Sequence, residues 1–340
     1  MSLFQKGYQG FSTELKKLKE LFGRPLILLI AYSGGSDSSL LLAYISEYIL
    51  LNPRDITRVI VLHINEGLSN IFPEISQSEE QEKELFLKQS TRYPFVFEYV
   101  SSQDSFSFKK YESYEDAMHI MRKKIFMEYA QKYAADKIIT GHHQDDQIEH
   151  FLIGIIRNSS TKRISGMEIS SGLFFRPLLL LNKKEILTAI QEKSIKHLID
   201  PTNSYTFSLR NKVRNTLLPL LDEVDSRSRK NILSFMKKLK SQESFIRERR
   251  DDYLKIVCLN VNSFDKEAFL AIPLLMQKEV LAYLFRKASP SSVFTEGICQ
   301  EILKFLSSSK SKMHSIKRVL IKKEKKTVTI LPLYPHSVIQ

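Results

Sequence analysis

"AYSGGSDSS", residues 31–39, follows directly on the apolar run "LILLI" (26–30), and its reading decides the fold. An apolar run without alternation is what a strand covered by helices on both faces requires. The two adjacent glycines, Gly34 and Gly35, let backbone N–H groups approach an anion, and the hydroxyls of Ser33, Ser36 and Ser38 add donors. The helical pattern that begins here, "DSSLLLAYISEYIL" (37–50), supplies a favourable N-terminal dipole. Taken alone, the stretch serves equally well as a tight turn between strand and helix. It is not a Walker A loop, which needs four residues between its glycines and a Lys followed by Ser or Thr, and it is not GxGxxG. Asp37 is the discordant member, because a carboxylate in a phosphate cradle repels its ligand. A magnesium ion between carboxylate and phosphates removes that conflict.

Working outward, "RVIVLHI" (58–64), "FVFEYV" (95–100) and "KIITGHH" (137–143) read as further strands. Helical periodicity at 114–134, 145–158 and 183–194 separates or follows them, the last segment capped by Asn182. Strands alternating with helices predict an α/β fold, a doubly wound and mostly parallel sheet. Ligands of such sheets collect at the carboxyl ends of the strands, where strand order reverses. A second polar loop, "TGHHQDDQIEH" (140–150), also leaves a strand end, so it can face the first. Asp145 or Asp146 then completes a metal site with Asp37, and His142 sits near the phosphates as a donor. Alone, these acids could merely cap a helix, and the histidines could be satisfied core or surface residues.

From about Ser226 the texture changes to a long polar helix with ten Lys/Arg against four Asp/Glu over 226–256. The remainder reads as a smaller, mainly helical domain ending in a hairpin, "RVLIKKEKKTVTILPLY" (318–334). The expected organisation is a catalytic domain over 1–222 and a basic domain over 223–340.

The chain has 340 residues, 43% of them hydrophobic, and a net charge of +13, a surplus that favours polyanions. Cys258 and Cys299 are the two cysteines, with no CxxC and no Cys/His cluster of zinc spacing, which argues against a disulfide framework and a structural zinc site. No apolar run approaches the roughly 18 residues needed to cross a bilayer, and the first residues lack a signal-peptide core. The expected address is the cytoplasm, with no membrane partner. A homodimer is left open.

Together the motifs resemble the PP-loop family of ATP pyrophosphatases and, within it, the tRNA(Ile)-lysidine synthases. The resemblance rests on "SGGSDS" (33–38), "HINEGL" (63–68), "HHQDDQIE" (142–149), "ISGM" (164–167), "RPLL" (176–179), "DPTN" (200–203) and "RNKVRNTLLPLL" (210–221). SGGxDS points only to the superfamily, whereas the later series is specific. The resemblance implies that ATP adenylates the carbonyl at carbon 2 of the wobble cytidine in an isoleucine tRNA with a CAU anticodon, releasing pyrophosphate, and that free L-lysine then displaces AMP. It implies that Ser33 to Ser38 bind ATP, that Asp37 and Asp145 hold magnesium, and that Arg210 and Arg214 lie near the phosphates or the tRNA. Glu115, Glu149 and Asp200 are acids in family-like segments that could take the lysine ammonium.

The sequence also departs from the family. Asn65, Glu66, Gly67, Leu68 and Ser69 stand where many relatives read NHGLR, "RNSSTKR" (157–163) lacks the usual glycines, and His150 replaces a common Thr. The C-terminal third looks shorter than in longer relatives. Rival readings are another PP-loop enzyme, such as a tRNA thiolase, an amidotransferase synthetase or an NAD synthetase, and a non-catalytic RNA-binding protein. A thiolase needs motif cysteines and an amidotransferase often a Cys after the initiator Met, where this chain has Ser2. A mere binder has little use for Asp37, Asp145 and Asp146.

Overall fold

The computed structural model describes residues 1–67, 76–101, 114–198, 208–308 and 312–333. In chain order the first part runs α1 (Leu3–Phe22), β1 (Leu26–Ala31), α2 (Ser36–Leu51), β2 (Ile56–Asn65), α3 (Ser76–Arg92), β3 (Val96–Ser101), α4 (Tyr114–Lys132) and β4 (Lys137–Ile139). It continues with α5 (Gln144–Ile156), α6 (Thr161–Ile164), β5 (Ser170–Ser171), β6 (Phe174–Phe175), α7 (Lys183–Glu192), α8 (Leu209–Lys212), α9 (Leu218–Val224) and α10 (Ser228–Val257).

The strands form one sheet in the order β3-β2-β1-β4-β6-β5. Every neighbouring pair is parallel except β5 with β6 at the edge. The chain lays β1, β2 and β3 outward in one direction and then places β4 on the other side of β1. Strand order therefore reverses between β1 and β4, and the loops after these two strands share the crevice that such a reversal opens.

The period of two within β1 explains why no polar residue interrupts it. Leu28 and Ile30 pack with Phe11 and Leu15 of α1, Tyr44 and Tyr48 of α2, and Ile186 of α7. Leu29, one residue out of phase, joins Ile60, Leu62, Ile138 and Ala130 on the opposite face, beside α4. Both faces are dry, as the apolar run anticipated.

Contact within the chain divides it into two compact units, 1–237 and 238–340, and α10 is continuous through the division. The second unit adds β7 (Ser263–Asp265), α11 (Lys266–Ala271), α12 (Leu274–Ala288), α13 (Glu296–Ser307), β8 (Met313–Ile316), β9 (Val319–Lys323) and β10 (Thr327–Pro332). Its core gathers Phe264, Phe269, Val280, Phe285, Ile302, Ile321 and Val328. The hairpin read at 318–334 is β9 paired with β10 around Glu324, Lys325 and Lys326. It belongs to a four-stranded antiparallel sheet, order β7-β10-β9-β8, which the sequence reading did not anticipate. No helix among the described residues is long and apolar enough to cross a membrane.

Candidate active site

The loop between β1 and α2 is built around one left-handed residue, Gly34, at φ 82°, a conformation that a side chain would strain. Ser33 and Ser38 close the loop on itself. Ser33 N–H donates to Ser38 Oγ (3.2 Å), Ser38 Oγ donates to the Gly35 carbonyl (3.1 Å), and the two hydroxyl oxygens lie 3.3 Å apart. The first intrahelical bond of α2 runs from Ser39 N to Gly35 O (3.0 Å). The N–H groups of Ser36, Asp37 and Ser38 thus precede the helical ladder and face outward from the helix start, the arrangement that receives an anion.

The second loop is pressed against the first at Gly141. A Cβ built there would lie 3.0 Å from Asp37 Cβ and 3.4 Å from Asp37 C and Ser38 N. Absence of a side chain is what lets the loops touch. Beyond Gly141, His143 caps α5, its N–H donating to Asp146 Oδ2 (2.9 Å). The His143 ring gathers the three acids expected of a metal site: Nε2 is 3.9 Å from Asp37 Oδ1 and 3.5 Å from Asp146 Oδ2, and Nδ1 is 3.5 Å from Asp145 Oδ2. Burial disfavours charge on this ring, but the three carboxylates outweigh it and raise its pKa.

Each acid also carries a permanent cation. Lys183, the first residue of α7, donates from Nζ to Asp37 Oδ1 (2.7 Å), Asp37 Oδ2 (2.8 Å) and Ser36 Oγ (2.8 Å). Its backbone N–H donates to Asp145 Oδ2 (2.7 Å), so one residue ties the two loops together. Asp145 Oδ1 accepts from Arg229, which also holds Asp222 (2.8 Å). Arg214 Nη2 lies 3.3 Å from Asp146 Oδ1, and Arg210 Nη2 lies 3.7 Å from the same oxygen. Burial works against ionising Asp145 and Asp146, yet the surrounding positive groups depress both pKa values. His142 behaves oppositely. Burial, reinforced by Arg176 and Arg210 against the opposing Asp146, pushes its pKa down to about 4. It is neutral near pH 7, with Nδ1 2.8 Å from Thr140 Oγ1. If Thr140 donates, the ring proton sits on Nε2, leaving one donor for a ligand.

Arg210 and Arg214 do meet on one face, but they converge on Glu149. Arg210 Nε donates to Glu149 Oε2 (2.9 Å), and Arg214 donates to Oε1 from Nε (2.6 Å) and to Oε2 from Nη2 (3.0 Å). Glu149 is 1% exposed, so this acid is fully engaged as the anchor of two guanidinium groups. A π-helical stretch, Val213–Leu217, follows α8 and carries Arg214. Such insertions are frequent at functional sites. Asp200 and the rest of "DPTN" lie outside the described residues, as does the Glu115 side chain.

Other family-like segments shape the site from behind. Met167 N–H of "ISGM" donates to Gln147 Oε1 (2.6 Å), and Gln144 Nε2 donates to the Leu180 carbonyl just past "RPLL" (3.0 Å), so both segments brace α5. In the divergent loop after β2, Asn65 accepts from Gly67 N–H (2.8 Å) and donates to Tyr99 OH (2.9 Å), while Glu66 pairs with Arg122 (3.1 Å). Leu68 and Ser69 fall outside the described residues.

The sequence reading missed Lys183, Arg229 and the central role of His143. Lys183 carried one local signal, its place directly after the helix-capping Asn182, where its backbone N–H was bound to need an acceptor.

As to the metal, no group of three or more His, Cys, Asp or Glu among the described residues is arranged as a protein-only centre. Magnesium held by one or two carboxylates and phosphate oxygens does not require one. Asp37, Asp145 and Asp146 are hard oxygen donors converging on a single imidazole, and they fit that partial role.

A family model described as a PP-loop domain matches residues 8–221. The tRNA(Ile)-lysidine synthase of Treponema denticola is 30% identical over 239 residues, covering 70% of this chain and 50% of that protein. The enzyme of the same name from Francisella philomiragia is 26% identical over 278 residues, 79% of this chain and 64% of that protein. The chain thus spans about half to two thirds of the length of these curated relatives. A tRNA thiolase, NcsA from Methanococcus maripaludis, has a solved structure that superposes with TM-score 0.55 at 17% identity, over 70% of this chain and 79% of that one. That likeness bears on the fold alone.

Proposed function

We propose, starting from the fact that this chain belongs to the PP-loop family, that it is an ATP-dependent ligase joining the amine of free lysine to carbon 2 of the wobble cytidine in an isoleucine tRNA with a CAU anticodon. The observation that carries this reading is the meeting of the two loops at the β1/β4 reversal, hydroxyls and free N–H groups on one side and converging carboxylates on the other. Similarity to proteins named tRNA(Ile)-lysidine synthase supplies the substrate side.

In this mechanism the cytidine C2 oxygen attacks the α-phosphorus of ATP, and the bond to pyrophosphate breaks. The lysine amine then attacks C2, and AMP leaves with the original oxygen. Gly34, Gly35 and the hydroxyls of Ser33, Ser36 and Ser38 cradle the pyrophosphate part, with the α2 N-terminus behind them. Neutral His142 offers an N–H to the phosphates. Magnesium, held by Asp37 with Asp145 or Asp146, would neutralise phosphate charge. Arg210, fixed by Glu149, presents positive charge to the charge that develops on the transferring group. Residues 1–222 form the catalytic domain, to which Arg229 is added by its hold on Asp145, and the rest of the basic remainder, 223–340, holds the tRNA in the cytoplasm.

The test is to omit lysine. ATP and the isoleucine tRNA alone should yield pyrophosphate and adenylated tRNA in a rapid-quench assay, whereas no adenylated tRNA at any time would overturn the two-step reading.

A further inference from the structure

Asp37 is the acid that the nucleotide reading assigns to magnesium, yet a protein cation holds it. Lys183 Nζ sits 2.7 and 2.8 Å from the two carboxylate oxygens and 2.8 Å from Ser36 Oγ, a three-point seat on the very oxygens a metal would use. An ammonium seated on both oxygens blocks the bidentate approach of a divalent cation and repels one that reaches the remaining lone pairs. Around this seat, Asp145 and Asp146 are likewise balanced by Arg229 and by Arg210 with Arg214. Five carboxylates, counting Glu149 and the Asp222 that Arg229 also holds, thus face four permanent cations, so most of the cluster's negative charge is already matched and its pull on a dication is weak.

From this geometry we infer that Lys183 is a gate on metal entry: it occupies Asp37 in the free protein, excludes the divalent cation, and releases Asp37 only when a polyphosphate gives the ammonium another anion. The inference rests on the reading of Asp37 as a metal ligand. Lys183 is suited to the exchange because its chain is flexible and its head is a compact ammonium with three donors. It is only partly buried, 39% exposed at the side chain, so leaving Asp37 strands no charge in a dry interior. Its backbone N–H remains on Asp145 throughout, which keeps the lysine beside the phosphates after its head has moved. Metal and nucleotide binding are thereby coupled, each favouring the other by the cost of displacing one ammonium.

Manganese, counted from the loss of its free-ion paramagnetic resonance signal, reports binding without turnover. The full-length protein is titrated alone and with a non-hydrolysable ATP analogue. Lys183→Met and Lys183→Gln should bind manganese without nucleotide about 10-fold more tightly than the unaltered protein, the scale of one partly exposed charge-assisted pair. Lys183→Arg should bind as weakly as the unaltered protein. If both neutral variants bind manganese no more tightly, or if the arginine variant gains as much as they do, the gate is refuted. Asp37→Asn separates the two layers. Should it lower manganese binding in the presence of the analogue while the lysine variants change nothing, the metal reading stands and the gate alone fails. Should it leave that binding unchanged, the assignment of Asp37 to metal fails and the gate with it.

Discussion

Gly141→Ala is the smallest change that should disable the site. The added methyl would sit 3.0 Å from Asp37 Cβ and 3.4 Å from Asp37 C and Ser38 N. Carbon atoms prefer about 3.5–4.0 Å, so relief demands a separation of at least about 0.5 Å. None of the three atoms is the free end of a side chain. They belong to the first turn of α2, which is fixed by β1 behind it, so the strain must open the gap between the loops after β1 and β4. Overpacking of this kind costs about 1–3 kcal/mol in stability. A displacement of about 0.5 Å between phosphate cradle and carboxylates, half the roughly 1 Å that costs about 100-fold, should slow adenylation by about 10-fold. Gly172→Ala is the control. Gly172 has φ 55° with nothing within 4 Å of its would-be Cβ, so alanine there should lose about 1 kcal/mol through backbone strain alone. The assay pairs pyrophosphate release with thermal melting for both variants. A folded Gly141→Ala enzyme within about twofold of the unaltered rate would refute the claim that the site depends on contact between the loops.

Three further expectations follow from the same geometry. Glu149→Ala strands two guanidinium groups that are each about one third exposed, so it should cost about 2–3 kcal/mol, read by denaturant titration; a change below about 0.5 kcal/mol would contradict the anchoring role. His142 has a folded pKa near 4 against an ordinary 6.5, so the unfolded chain binds its proton first and stability should fall as pH drops from about 6.5 to about 4. At about 1.4 kcal/mol per unit its share is at most about 3.5 kcal/mol. His142→Gln should flatten the profile in that window, whereas an unchanged slope would remove the assignment; His143, its pKa raised, contributes with the opposite sign and loses its share as pH rises. Replacing Arg247, Arg249 and Arg250 by neutral residues should raise the Michaelis constant for tRNA and lower its log–log salt slope by about 0.7–0.9 for each phosphate no longer neutralised, with ATP affinity nearly unchanged; an unaltered slope would mean these residues touch no phosphate.

The sheet was legible because β1 must be dry on both faces, and only a run such as "LILLI" satisfies that. The two polar loops were legible for the same reason, since each begins where an apolar strand ends. α1 is hard to see in the sequence although Phe4, Gly7, Phe11, Leu15 and Leu18 form a buried stripe, because polar and charged residues fill the rest of its circumference. The cations of the site were hidden by distance: Lys183 meets Asp37 across 146 positions and Arg229 meets Asp145 across 84. No local pattern announces such pairs. The four-residue spacing of Arg210 and Arg214 puts them on one face, but their partner in the structure is a buried acid rather than a phosphate. Only Glu149's near-total burial distinguishes those roles, and burial is a property of the folded chain.

The most direct test of the central claim is ligation itself. The protein is incubated with labelled lysine, ATP and magnesium, and with unmodified isoleucine tRNA bearing a CAU anticodon, alongside methionine tRNAs that carry the same anticodon. The account predicts label in the isoleucine tRNA, dependent on ATP and abolished by Asp37→Asn, with the methionine tRNAs unlabelled. Absence of label from the isoleucine tRNA under conditions where the protein binds ATP, or equal labelling of the methionine tRNAs, would contradict it.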